Sequence, residues 1–255
     1  LTMTNKLKYF VGNWKMFGDI GSFKIIYQIN QFLSRFEKVN KNNRVILCIP
    51  NTLIYFFSQK LKSKLISLGA QNCDSHEKFG PYTGSISASM LKNVGAKYII
   101  LGHSENRLSG ETNYTIKKKI ENSLKQKLNI IFCIGETHKE KKRGMTLKVL
   151  ESQIKNSIPE KHNFRKIIIA YEPVWAIGTG STPNPSDLNK IFKFIKKYIK
   201  SNFNKKFPPV LLYGGSVSDK NISLFSKLAD IDGFLVGGAS HSAKKFIDII
   251  KKYYK

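Results

Sequence analysis

Eight short apolar runs recur along this chain, at residues 9–11, 45–49, 65–71, 98–101, 130–134, 167–170, 210–212 and 234–236, and each stops at glycine, proline or a polar side chain. Runs this short, apolar on both faces and rich in Val and Ile, read as strands covered on both sides. Helix-spaced segments lie between them, such as Phe23, Ile26, Tyr27, Ile29 and Leu33, or Leu188, Ile191, Phe192 and Ile195. The second of these helices is expected to start at Ser186 or Asp187, both good N-cap residues. Regular alternation of strand and helix implies parallel βα units. Eight such units in 255 residues, close to the ~250 typical of the closed form, predict an α/β fold. The expected architecture is a single (β/α)8 barrel, residues 1–255, with eight parallel strands and their polar ends on one rim.

What that rim carries decides the chemistry. The sixth run ends in Glu172, and Pro173 follows, lacking the N–H that a further sheet rung would need. Val174, Trp175, Ala176 and Ile177 then put apolar bulk where a solvated loop would be polar. Gly178 and Gly180 free the backbone behind them, which is the makeup of a lid beside a carboxylate. Asn13 and Lys15 end the first strand, and His103 the fourth. The last two strands run into Gly214, Gly215 and Ser216 and into Gly237 and Gly238, turns that aim free N–H groups at an anion. A phosphate site after strands seven and eight is a recurring feature of such barrels.

The segment AYEPVWAIGTG, residues 170–180, closely resembles the signature of the triosephosphate isomerase family. VGNWKM at 11–16, GHSE at 102–105 and CIGET at 133–137 resemble its other motifs, so the likeness spans nearly the whole chain. The resemblance implies a TIM barrel that reversibly interconverts dihydroxyacetone phosphate and D-glyceraldehyde 3-phosphate through an enediol. It casts Glu172 as the base, His103 as a neutral electrophile and Lys15 as the cation near phosphate and oxyanion, with Asn13 in support. Gly178, Ser216, Gly237 and Gly238 match the donors around the phosphate. No metal or organic cofactor is expected, because the reaction is internally redox-neutral and the sequence offers no ligand cluster. A homodimer is also implied, in which the long polar loop 73–85 docks into a second copy and Thr83 supports the other site. Another phosphate-binding barrel would share the glycine turns but would not need Asn13, Lys15, His103 and Glu172 together.

Several positions depart from the family pattern. Asn106 stands where Arg commonly follows GHSE, and Ser85 where Glu commonly follows TG, so both partners of a cross-interface pair are missing together. Ser181 and Pro183 replace the commoner Lys and Ala of the second lid hinge. His241 follows GGAS where an apolar residue is usual, and no role attaches to it in the sequence.

The net charge of +26 is far above the ~2 to 8 of a small domain. Only five of the 43 basic residues are arginine, the preferred reader of bases, which argues against nucleic acid as the primary partner. Lysines such as Lys117, Lys118, Lys119, Lys125 and Lys127 are expected on solvated helix faces, where their field would hasten capture of an anion. No apolar run reaches the ~18 residues of a membrane span. The basic start, Lys6 and Lys8, leads into Gly12 and Asn13 rather than a signal-peptide core, and the expected compartment is the cytoplasm. Cys48, Cys73 and Cys133 lack CxxC spacing and are expected to be reduced structural thiols.

Overall fold

The computed structural model describes residues 7–36, 41–160, 164–203 and 208–254, so Lys6 lies outside the described residues. Eight strands close into one parallel barrel: β1 (Lys8–Asn13), β2 (Asn43–Cys48), β3 (Ile66–Ala70), β4 (Tyr98–Leu101), β5 (Asn129–Ile134), β6 (Ile167–Tyr171), β7 (Val210–Tyr213) and β8 (Gly233–Val236). The helices among the described residues are α1 (Phe23–Arg35), α2 (Asn51–Lys60), α3 (Ala88–Asn93), α4 (Ser104–Leu108) and α5 (Asn113–Lys125), then α6 (His138–Lys142), α7 (Thr146–Ser157), α8 (Pro185–Asn202), α9 (Ile222–Ser226) and α10 (Ala243–Tyr253).

Strand periodicity explains why the sequence runs looked unpatterned. Alternate residues, among them Val11, Ile46, Ile131, Ala170 and Leu235, fill the barrel interior, while Phe10, Leu47, Phe132, Ile169 and Phe234 join the layer between strands and helices. Both faces are dry, so both must be apolar. Closure of the ring depends on Gly233, where a Cβ would lie 2.0 Å from the Tyr9 carbonyl oxygen.

Two local expectations fail. The helix behind the lid begins at Pro185, and its cap is Asn184, whose side chain accepts from the Ser186 N–H at 2.9 Å. Proline suits the first helical position, so Ser186 and Asp187 fall inside the first turn. The second failure is Lys119, which is only 8% exposed. It forms a close ion pair with Glu111, and its Nζ lies 3.1 Å from Asn72 Oδ1. Lys8, too, is buried and donates to the Ile231 carbonyl at 2.6 Å.

The loop 73–85 docks on α5 and is tied internally. Asn122 Nδ2 donates to the Ser75 carbonyl at 2.7 Å, and Lys125 pairs with Glu77 at 2.7 Å. Ser85 Oγ donates to Asp74 Oδ2 at 2.6 Å, while His76 contacts Asp74 Oδ1 and stacks on Tyr82 at 3.5 Å. That Ser85 hydroxyl, followed by the His76 N–H groups, holds the Asp74 carboxyl down at about 2. The residue standing where the family carries a cross-interface glutamate is thus satisfied within its own loop.

Candidate active site at the carboxyl rim

All eight residues anticipated at the site, Asn13, Lys15, His103, Glu172, Gly178, Ser216, Gly237 and Gly238, line one cavity of about 570 Å3 at the carboxyl ends of the strands. Glu172 directly follows β6, and its backbone N–H donates to the Ile134 carbonyl at 2.7 Å. Gly135 presses against it so closely that a Cβ there would stand 1.8 Å from the Glu172 carbonyl oxygen. The ends of β5 and β6 therefore fix the height of the carboxylate. Glu172 is 3% exposed; Oε1 lies 3.2 Å from His103 Nε2, and Oε2 is buried with no hydrogen-bond partner among the described residues. Leaving a buried acceptor unpaired is unfavourable by ~1–3 kcal/mol, so this oxygen is not placed for stability.

His103 caps α4, and its Nδ1 accepts the Glu105 N–H at 3.3 Å. With Nδ1 accepting, the proton of the neutral ring sits on Nε2, which faces Glu172. Burial is the strongest single influence on His103 and lowers its pKa. The Glu172 carboxylate, by charge and hydrogen bond, and then Glu105 outweigh it, so the net direction is upward. A nearby negative charge favours the imidazolium, and removing it reverses the effect. In Glu172→Gln the His103 titration midpoint, followed by NMR of the ring protons, is therefore expected to fall. A midpoint that held or rose would mean that Glu172 does not govern this ring. Beneath the pair, the Cys133 thiol is pushed well up, by burial first and then by the Glu172 charge, and stays neutral.

Lys15 sits at φ 53°, in the left-handed region. Its N–H donates to Asn13 Oδ1 at 3.0 Å, its carbonyl accepts Gln71 Nε2 at 2.9 Å, and its Nζ lies 2.6 Å from Glu105 Oε1. A Cβ on Gly237 would lie 3.9 Å from Lys15 Cε, so the lysine stem crosses toward the turn after β8. Gln71 and Glu105 were not anticipated as site residues. Glu105 stands two residues beyond His103 in the GHSE motif, which was a usable signal. Gln71 carried none, since nothing local aims a strand-end amide at a loop 56 residues away.

The flap divides into an anchor and a tip. Val174–Ala176 forms one 3-10 turn, and Trp175 Nε1 donates to Glu136 Oε1 at 2.8 Å. Tyr171 OH donates to Glu136 Oε2 at 3.1 Å, and Lys141 Nζ sits 3.2 Å from the centroid of the Trp175 ring. Burial raises the pKa of Glu136 against the opposing pull of these donors. The apolar bulk expected to form a lid is thus tied down at its base. Beyond Ile177 the chain is exposed, with Gly178 at φ 71° and Gly180 at φ 77°, and Pro183 is buried where it lines a cavity with Trp175.

A (β/α)8 barrel whose rim brings a buried carboxylate, an imidazole, an ammonium and two glycine turns to one cavity belongs to the class of barrel enzymes built for acid–base chemistry on an anionic substrate. The family model described as Triosephosphate isomerase matches residues 8–253. The chain is 40% identical over 252 residues to the triosephosphate isomerase of Dictyoglomus thermophilum, covering 96% of this chain and 98% of that one. It is 42% identical over 253 residues to that of Buchnera aphidicola subsp. Schizaphis graminum, covering 96% and 97%. A crystal structure of triosephosphate isomerase from Bartonella henselae superposes with a TM-score of 0.88 at 36% identity, over 97% of this chain and 99% of that one. The chain belongs to the triosephosphate isomerase family, and its reaction is the isomerisation of a triose phosphate.

Proposed function

We propose that Glu172 moves the proton between the two adjacent carbons of a bound triose phosphate while His103 polarises the carbonyl through Nε2–H. Taking a proton from carbon leaves an enediolate, and the charge that develops on oxygen needs donors already in place. Lys15 supplies the positive charge near that oxygen and the phosphate, with Asn13 holding its backbone. Gly178, Ser216, Gly237 and Gly238 bring the phosphate donors. One observation carries this reading: an unpartnered buried oxygen of Glu172 shares the cavity with His103 and Lys15. The test is a coupled assay of glyceraldehyde 3-phosphate isomerisation, and an inactive, correctly folded protein would refute it. Closure of the tip around Gly178 over the substrate would exclude water and strengthen Glu172 as a base.

The +26 charge supports a steering role. Salt screens approach of a charged substrate more than it screens a bound one, so kcat/KM is expected to fall with ionic strength more than kcat does. Equal salt dependence of the two would assign the charge no part in capture. Polynucleotide binding, the rival account of that charge, predicts an affinity falling steeply with salt and surviving Glu172→Asp.

The working unit is proposed to be a homodimer formed through the loop around Thr83. Phe79 is 82% exposed on that loop, and Met16 and Phe17 are exposed at the rim. With Ser85 turned inward and Asn106 in place of a cation, the interface relies on such apolar contacts against the repulsion of two +26 bodies. Sedimentation equilibrium is therefore expected to give a dimer that tightens as salt rises; a monomer at every concentration would overturn it. The proposed setting is glycolysis and gluconeogenesis in the cytoplasm. Among the described residues no helix is long and apolar enough to cross a membrane.

A further inference from the structure

His241 closes the turn Gly238–His241 after β8, and its ring reaches from there to the end of β1. Its Nε2 lies 2.9 Å from the Trp14 carbonyl oxygen. A carbonyl only accepts, so the ring carries its proton on Nε2 and His241 is the donor. The ring also lies flat on Phe17, with centroids 4.1 Å apart and planes within 4° of parallel. These contacts bracket Lys15, one on the residue before it and one on the residue two places after.

Lys15 needs such bracketing. A left-handed backbone in a residue with a side chain persists only where its surroundings over-determine it, and φ here is 53°. The peptide between Trp14 and Lys15 is gripped at both ends: Asn13 Oδ1 takes the Lys15 N–H at 3.0 Å and His241 donates to the Trp14 oxygen. The next carbonyl, that of Lys15, is held from the far side by Gln71. An apolar residue at 241 could fill the space against Phe17 but could not hold the Trp14 carbonyl.

The geometry points to His241 as a positioning residue: it fastens the turn that carries Gly237 and Gly238 to the peptide before Lys15, holding the lysine where its ammonium meets the anion bound at that turn. This inference rests on the proposed role of Lys15. The test uses the full chain and inorganic phosphate as a competitive inhibitor. His241→Phe keeps a ring on Phe17 and removes the donor, whereas His241→Gln keeps a donor. In His241→Phe, KM for glyceraldehyde 3-phosphate and the phosphate inhibition constant are expected to rise together by ~3- to 10-fold, the scale of one hydrogen bond. Turnover should fall less, the thermal midpoint should drop by only a few degrees, the scale of one unpaired carbonyl, and His241→Gln should recover most of both losses. In a Lys15→Gln background, His241→Phe should add nothing. The inference is overturned if His241→Phe leaves both constants unchanged, or raises them as much without Lys15 as with it. If Lys15→Gln alone leaves phosphate inhibition intact, the role of Lys15 falls and this inference falls with it. A large loss in Lys15→Gln beside an indifferent His241→Phe would sink the inference alone.

Discussion

Glu172→Asp is expected to turn over ~10²-fold more slowly than the parent chain, the scale of a 1 Å misplacement of a reacting group. The shorter side chain withdraws the carboxylate by about one bond while keeping its charge. KM should change little, because Lys15 and the turns at Ser216 and Gly237 lie elsewhere on the cavity wall. Glu172→Gln asks a different question. Its amide oxygen can still accept from His103 Nε2, now 3.2 Å from the carboxylate, so position is kept and only basicity is lost. General-base catalysis is worth ~10²- to 10⁴-fold, and the glutamine variant should lose at least as much turnover as the aspartate. Single-turnover kinetics with deuterated substrate would separate proton transfer from product release. Unchanged turnover in Glu172→Asp would remove Glu172 from the base role.

The barrel was legible because a strand buried on both faces must be apolar throughout, and because a parallel strand can end only at the rim where its loop begins. Glu172, His103, Lys15 and Asn13 were singled out through the family motifs they stand in; each lies at or just past a strand end, and the three strands that carry them, β1, β4 and β6, point the same way. The glycine turns were legible from their place after the last two strands. What was hidden depends on partners distant in sequence. Lys119 sits among lysines in a polar helix, and only the arrival of Glu111 and Asn72 explains its burial. His241 meets a carbonyl 227 residues away. Asn184 was passed over because Asn184, Ser186 and Asp187 are all competent caps, and the choice fell to the proline between them. The lid was half legible: its apolar content is plain, but that Trp175 is bound to Glu136 and not free requires β5 and β6 to lie side by side.

Lys119→Met is expected to destabilise the chain by ~3–5 kcal/mol, the effect of removing one partner from a buried ion pair. The Glu111 side chain is 7% exposed, and its Oε2 has no hydrogen-bond partner among the described residues, so without the ammonium a carboxylate stripped of its ion pair would remain in the interior. Methionine fills most of the volume of the lysine stem, so the loss would come from charge and not from a cavity. The paired change, Lys119→Met with Glu111→Leu, tests that attribution: replacing both partners by apolar groups is often neutral or stabilising, and the double variant should regain most of the loss. Urea unfolding of the two variants and the parent would measure both effects. Lys119 also reaches Asn72 at the root of the loop 73–85, so the single variant should release that loop from α5 before the barrel itself unfolds, visible as early loss of amide protection at residues 73–77. A single variant as stable as its parent would mean that the pair is solvated in solution, and that Lys119 belongs with the surface lysines after all.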